Sequence, residues 1–103
     1  MKKLAIVTGG TRGIGRAISM ALNNSGYEVV ANYANNDDAA RSFSLETGID
    51  SSKWDVANYN ECLEKVRELE DKYGKRVSIL INNAGITRDA FLHKATKEHW
   101  MQV

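Results

Sequence analysis

Cysteine is nearly absent: the 103 residues hold one, Cys62, which excludes an intrachain disulfide and suits a reducing, cytoplasmic setting. Long apolar runs are missing too, and no stretch approaches the roughly 20 residues of a membrane span. The opening Met1-Lys2-Lys3-Leu4-Ala5-Ile6-Val7 imitates the basic start of a signal peptide, yet its apolar run stops after four residues. That is too short for the hydrophobic region of a leader. Neither charge sign dominates: 14 Lys and Arg stand against 13 Asp and Glu, a net +1. Such a balance gives no reason to expect nucleic acid or an anionic membrane as partner. Histidine is scarce, and His93 and His99 have no acidic or thiol partner at ligand spacing, so no metal site is expected.

What is present is an ordinary globular composition, with 26% charged residues. The length allows one domain at most, able to bury roughly two-thirds of its unfolded surface. The most informative stretch is Leu4 to Gly15. Four apolar residues in a row read as a strand buried on both faces. Four glycines then fall within seven residues, Gly9, Gly10, Gly13 and Gly15. A helical pattern follows, with Ile14, Ala17, Ile18, Ala21 and Leu22 expected on one buried stripe. In a strand–turn–helix context, glycines let backbone approach a phosphate closely, and the first helical N–H groups point at the anion. Gly15 falls inside the first turn, where a side chain would push helix and strand apart. The spacing Gly9-x-x-x-Gly13-x-Gly15 is neither the common G-x-G-x-x-G fingerprint nor a P-loop.

Further along, Asn24-Ser25-Gly26 reads as a helix stop, and Tyr27 to Tyr33 as the second strand. Asn35 to Asp38 offer N-caps for a short helix ending at Thr47-Gly48. Ile49 to Val56 holds the third strand, with Asp55 at its end. Asn58 and Glu61 have capping-box spacing and open a helix from Tyr59 to Tyr73, whose apolar stripe is Tyr59, Cys62, Leu63, Val66, Leu69 and Tyr73. On that stripe Cys62 reads as a small core residue, and Trp54 as a packing residue. Val77 to Ile81 forms the fourth buried strand. Alternation of this kind implies an α/β fold with a parallel sheet and helices on both faces. The glycine loop, Tyr33-Ala34, Asp55-Val56 and Asn82 to Gly85 would all gather at the carboxyl ends of the strands, where doubly wound sheets bind ligand.

Thr8-Gly9-x-x-x-Gly13-Ile14-Gly15 resembles the cofactor loop of the short-chain dehydrogenase/reductase family, and Asn82-Asn83-Ala84-Gly85 resembles that family's Asn-Asn-Ala-Gly motif. The stretch from Asn82 to Asp89 and the later Trp100, in a helix that Thr96 would cap, look most like its ketoacyl-(acyl-carrier-protein) and acetoacetyl-CoA reductases. The resemblance implies a Rossmann-type doubly wound sheet whose N-terminal part has strand order 3-2-1-4. It implies dinucleotide contacts at Gly9, Thr11, Arg12, Gly13, Ile14, Gly15, Tyr33, Asp55, Val56, Asn83, Ala84 and Gly85, with Asp55 accepting from the adenine amino group. An NAD site wants an acid at the end of the second strand. Asn32-Tyr33-Ala34-Asn35 offers none, Asp37 and Asp38 look like capping residues, and Arg12 could pair with a 2′-phosphate, so NADP is preferred over NAD.

The family's proton donor is a Tyr in Tyr-x-x-x-Lys, assisted by a Ser and an Asn. No Tyr here has Lys at the fourth position: Tyr27, Tyr33, Tyr59 and Tyr73 are followed there by Ala31, Asp37, Leu63 and Val77. The resemblance therefore implies the cofactor-binding portion of an NADPH-dependent ketoacyl-thioester reductase, inactive alone; whether the chain acts as an enzyme stays open. The alternative is a non-catalytic NADP-binding or self-associating fragment, active only if a separate C-terminal piece complements it. The fourth strand is expected at the sheet edge, where bare N–H and C=O groups would recruit a second copy through that strand or through the last helix.

Overall fold

Leu4–Val7 forms β1, and all four residues have no exposed surface, which requires cover on both faces. The computed structural model describes residues 2–83 and the backbone of Trp100–Gln102. Cover comes from α1 (Gly13–Asn24) and α2 (Asp37–Thr47) on one face and α3 (Tyr59–Tyr73) on the other. Between them lie β2 (Glu28–Tyr33), β3 (Asp50–Lys53) and β4 (Val77–Asn82), all pairing in parallel with their neighbours.

Strand alternation sorts the core into two clusters. Leu4, Ile6, Val30 and Leu80 pack with Trp54 and with Cys62, Val66 and Leu69 of α3. Ala5, Val7, Val29, Ala31 and Ile81 pack with Phe43 of α2 and with Ile18 and Leu22 of α1. Val77 and Leu80 share a face despite their odd separation because the β1–β4 register slips: Leu4 pairs with Val77 but Ala5 with Ile79. A one-residue bulge resets the alternation.

Helix ends follow the capping chemistry of the sequence. Asn36 Oδ1 accepts the Ala39 N–H at 3.0 Å, and Asn58 Oδ1 accepts the Glu61 N–H at 3.0 Å. Gly26, Gly48 and Gly74 close α1, α2 and α3 with left-handed backbone. At the opposite end of the sheet from the glycine loop, the Tyr73 hydroxyl donates to Asp50, and burial together with that carboxylate pushes the phenol pKa up.

Four expectations change. The α1 stripe is rotated: Gly15 and Ser19 are buried, Ile18 and Leu22 half-buried, while Ala17 and Ala21 are exposed and Ile14 is 68% exposed. Helical periodicity sees only side-chain polarity, whereas the buried residues of this helix are Gly15, which has no side chain, and Ser19, which is polar. Tyr59 likewise leaves the α3 stripe, at 43% exposed. The third strand stops at Lys53, so Asp55 lies in the turn beyond it, where its Oδ1 accepts the Ala57 N–H at 2.8 Å.

Finally, β4 is not the edge. Trp100–Gln102 is a strand, β5, not part of a helix, and pairs in parallel with Leu80 to Asn82, giving the order β3-β2-β1-β4-β5. That pairing covers Leu80 to Asn82, so over this half β4 is not the bare edge expected from the sequence. The 3-2-1-4 core of the sheet stands as expected. Thr96 lies outside the described residues.

Candidate functional site

The site is built where the chain leaves β1. The Thr8 N–H donates to the Ile81 carbonyl at 3.0 Å, and Thr8 Oγ1 accepts the Asn83 N–H at 2.8 Å, tying the ends of β1 and β4 together. The next residue turns sharply, with Gly9 at φ +60°. Its N–H donates to Asn32 Oδ1 at 3.2 Å, and the Gly10 N–H donates to the Asn32 carbonyl at 3.0 Å. Asn83 Nδ2 donates to the Gly9 carbonyl at 3.3 Å, and Ser19 Oγ donates to the Gly10 carbonyl at 3.0 Å. The loop is thus held from β2, β4 and α1 at once.

Gly15 meets this loop with no room to spare. A Cβ there would stand 1.9 Å from the Gly9 carbonyl oxygen and 2.6 Å from Asn83 Nδ2. Its absent side chain accommodates the loop and Asn83, more than the helix–strand packing expected.

The start of α1 differs from those of α2 and α3. Arg12 occupies the N-cap position with extended backbone and makes no side-chain capping bond, and the first turn holds no acid. By contrast α2 has Asn36 followed by Asp37 and Asp38, and α3 has Asn58 and Glu61. The first N–H groups of α1 therefore lack a side-chain cap, beside exposed Arg12, Gly13 and Ile14; Thr11 is buried beneath them at 6%. That combination suits an anion.

The second wall is the turn after β3. Asn32 Nδ2 donates to the Trp54 carbonyl at 3.0 Å. The Asp55 N–H donates to Glu61 Oε1 at 3.1 Å, so the Glu61 carboxylate reaches back beyond the N-cap residue that a capping box would use. Cys62 Sγ lies 3.5 Å from the Val56 carbonyl, and burial pushes its thiol pKa up, as befits a small core residue. Asp55 itself is exposed.

At the end of β2, Asn35 to Asp38 and Arg41 line an open concavity of about 500 Å³. Asp37 is not a cap: its carboxylate accepts from the Tyr33 hydroxyl at 3.1 Å and pairs with Lys53 Nζ at 3.3 Å. The bond from Lys53, then that from Tyr33, holds its pKa below the ordinary 3.8. Its contribution to stability is therefore present above that value and is lost as pH falls through the lowered folded-state pKa. In the Lys53→Met chain, carboxyl NMR titration is expected to show Asp37 ionising at higher pH, nearer 3.8. An unchanged titration would show that Lys53 does not govern it.

Of the residues expected at the site, Gly9, Gly15 and Asn83 touch one another, and Asp55 and Val56 connect to them through Asn32 and Trp54. Tyr33 is half-buried and turned to Asp37, and Arg12 is exposed, with no side-chain bond capping α1. Ala84 and Gly85 lie outside the described residues. Sequence reasoning did not place Asn32, Ser19, Glu61 or Arg41 at the site. One signal was available: Asn32 is a polar residue directly after the apolar run Val29 to Ala31 of β2. It is 2% exposed and faces the glycine loop, so the lack of an acid at that position says nothing about the ribose.

The short chain dehydrogenase family profile matches residues 3–103. The acetoacetyl-CoA reductase of Paracoccus denitrificans is 55% identical over all 103 residues, which cover 42% of that protein. The 3-oxoacyl-[acyl-carrier-protein] reductase FabG of Staphylococcus epidermidis RP62A is 39% identical, with all of this chain and 44% of that protein aligned. Among solved structures, a short chain dehydrogenase from Bacillus anthracis superposes with a TM-score of 0.71 at 29% identity, over 80% of this chain and 34% of that one. BdcA in complex with NADPH superposes with a TM-score of 0.70 at 34% identity, over 82% and 32%. The chain thus spans about two-fifths of the length of the curated relatives it matches. By its profile match, its relatives and its glycine-loop architecture, the chain belongs to the short-chain dehydrogenase family.

Proposed function

We propose that these 103 residues are the cofactor-binding portion of a cytoplasmic, NADPH-dependent ketoacyl-thioester reductase, acting on acetoacetyl-CoA or a 3-oxoacyl carrier-protein thioester when the rest of the family's chain is present. The observation that carries the reading is the start of α1, with no side-chain cap and no acid, flanked by arginines and backed by a loop where a Cβ at Gly15 cannot fit. An anionic diphosphate satisfies such N–H groups, and Gly13, Ile14 and Gly15 would lie against it. Asp55 and Val56 would meet the adenine, and Asn83, with Ala84 and Gly85, its ribose. Arg12 would face the 2′-phosphate, with Arg41 the second cation at that end of the site; Arg41 is at present paired to Asp38 at 3.1 Å. When bound, the cofactor supplies a hydride to the 3-oxo carbon; the residues named hold and orient it.

Fluorescence titration with NADPH tests this reading. A saturable change below millimolar cofactor is expected, and a flat titration to millimolar NADPH would exclude useful binding. Arg12→Ala should weaken NADPH about tenfold or more while changing NADH little, since a charge-assisted bond contributes about 1.5–3 kcal/mol. Equal losses for both cofactors would rule out a 2′-phosphate role. No turnover of acetoacetyl-CoA is expected from the chain alone, because none of its tyrosines heads a Tyr-x-x-x-Lys. Activity regained on adding a C-terminal piece of a relative would favour the complementation alternative.

A further inference from the structure

Asn32 is a carboxamide buried to 2% exposure at the carboxyl end of β2, between two loops that come from different crossovers. Its Oδ1 accepts from the Gly9 N–H at 3.2 Å, on the glycine-loop side. Its Nδ2 donates to the Trp54 carbonyl at 3.0 Å, on the rim that carries Asp55 and Val56, and lies 3.4 Å from the Tyr33 carbonyl. Its own main-chain carbonyl takes the Gly10 N–H at 3.0 Å.

The chemistry of the position is specific. Gly9 holds a left-handed backbone, so the chain turns out of the strand direction there, and its N–H is met by a side chain, Asn32, at 3.2 Å. A buried N–H without an acceptor costs the desolvation of that group, and the Trp54 carbonyl stands in the same position with respect to a donor. Only a side chain with an acceptor and a donor on one rigid plane serves both, and Asn provides this. A carboxylate would keep the acceptor and set oxygen against oxygen at Trp54.

We infer that Asn32 is a positioning residue: its carboxamide sets the spacing between the Gly9–Gly10 turn and the Trp54–Val56 rim, so that the diphosphate and adenine ends of a dinucleotide meet walls already in register. The inference rests on the dinucleotide reading above for its purpose, though not for its mechanics. Preorganisation of this kind spares the cofactor the cost of ordering two loops as it binds.

Amide hydrogen exchange with NADPH titration tests it on wild type, Asn32→Ala and Asn32→Asp. In Asn32→Ala the Gly9 amide and those of Asp55 and Ala57 should exchange about tenfold faster relative to the β1 amides Ala5 to Val7, and NADPH affinity should fall about tenfold. In Asn32→Asp the Gly9 amide should stay protected while the rim amides speed up. A rise shared equally by β1 and the loop would make Asn32 a scaffold residue and overturn the proposal. So would identical patterns in the two variants, or a loosened loop with NADPH affinity within twofold of wild type. If wild type binds no dinucleotide, the exchange pattern still decides whether Asn32 couples the two walls, and the cofactor reading alone falls.

Discussion

Alanine at Gly15 is expected to destabilise the chain by about 3 kcal/mol, although helix propensity alone argues the other way. Gly15 lies in the first turn of α1, and in an unobstructed helix the change from glycine to alanine stabilises by about 1 kcal/mol. Here the added Cβ would stand 1.9 Å from the Gly9 carbonyl oxygen and 2.8 Å from its carbon, and both are backbone atoms with no rotamer to escape into. Relief needs α1 to move off the loop or the Gly9 turn to open. Either movement breaks bonds that Asn83 and Asn32 make to Gly9. Overpacking of well-packed sites costs about 1–3 kcal/mol, and a clash against backbone belongs at the upper end of that range or beyond it. Urea denaturation reads the loss, and NADPH affinity of the folded fraction should drop more than tenfold. A variant as stable as wild type would show that α1 and the loop do not pack as described.

Phe43→Ala is the second large effect, expected at about 4 kcal/mol with the cofactor site spared. Phe43 is 1% exposed and is the main aromatic anchor of α2 in the cluster formed by Ala5, Val7, Val29, Ala31, Ile49 and Ile81. Its ring also sits under Arg16, whose guanidinium carbon is 5.6 Å from the ring centroid. Truncation leaves a void and strands Arg16 on its 3.3 Å pair with Glu46, which is too exposed to contribute more than about 1 kcal/mol. A domain of this size has about 5–15 kcal/mol of stability in total, so the loss should bring the urea midpoint down sharply. Phe43 makes none of the loop's hydrogen bonds, so NADPH affinity extrapolated to the folded fraction should be unchanged. A loss below about 1 kcal/mol would mean that α2 is not seated on the sheet through this ring.

These two residues also mark how far the sequence could be read. β1 and β4 were visible as apolar runs because strands covered on both faces need no polar positions. The bounds of α3 were visible because Asn58 and Gly74 have side-chain and backbone chemistry that acts locally. The glycine loop and Asn83 stood out by type and spacing, and the structure brings them into contact. The facing of α1 was not legible in full, since its buried residues are Gly15 and Ser19, one without a side chain and one polar, and both meet the glycine loop. Nor was the cover over β4, because strand pairing by Trp100–Gln102 depends on a free edge that exists only once the sheet is assembled.

The residues alone determined the alternation of strands and helices, the capping of α3, and a loop whose glycines before a helix suit a diphosphate. Those properties are set by neighbours within a few positions along the chain. The tertiary structure alone decided that Asn32 faces inward to join two loops, that Asp37 is taken up by Lys53 and Tyr33, and that a Cβ at Gly15 would strike Gly9. Asn32 joins loops from separate crossovers and Lys53 reaches Asp37 from the neighbouring strand, while Gly9 and Gly15 meet only because the loop folds back on the helix start.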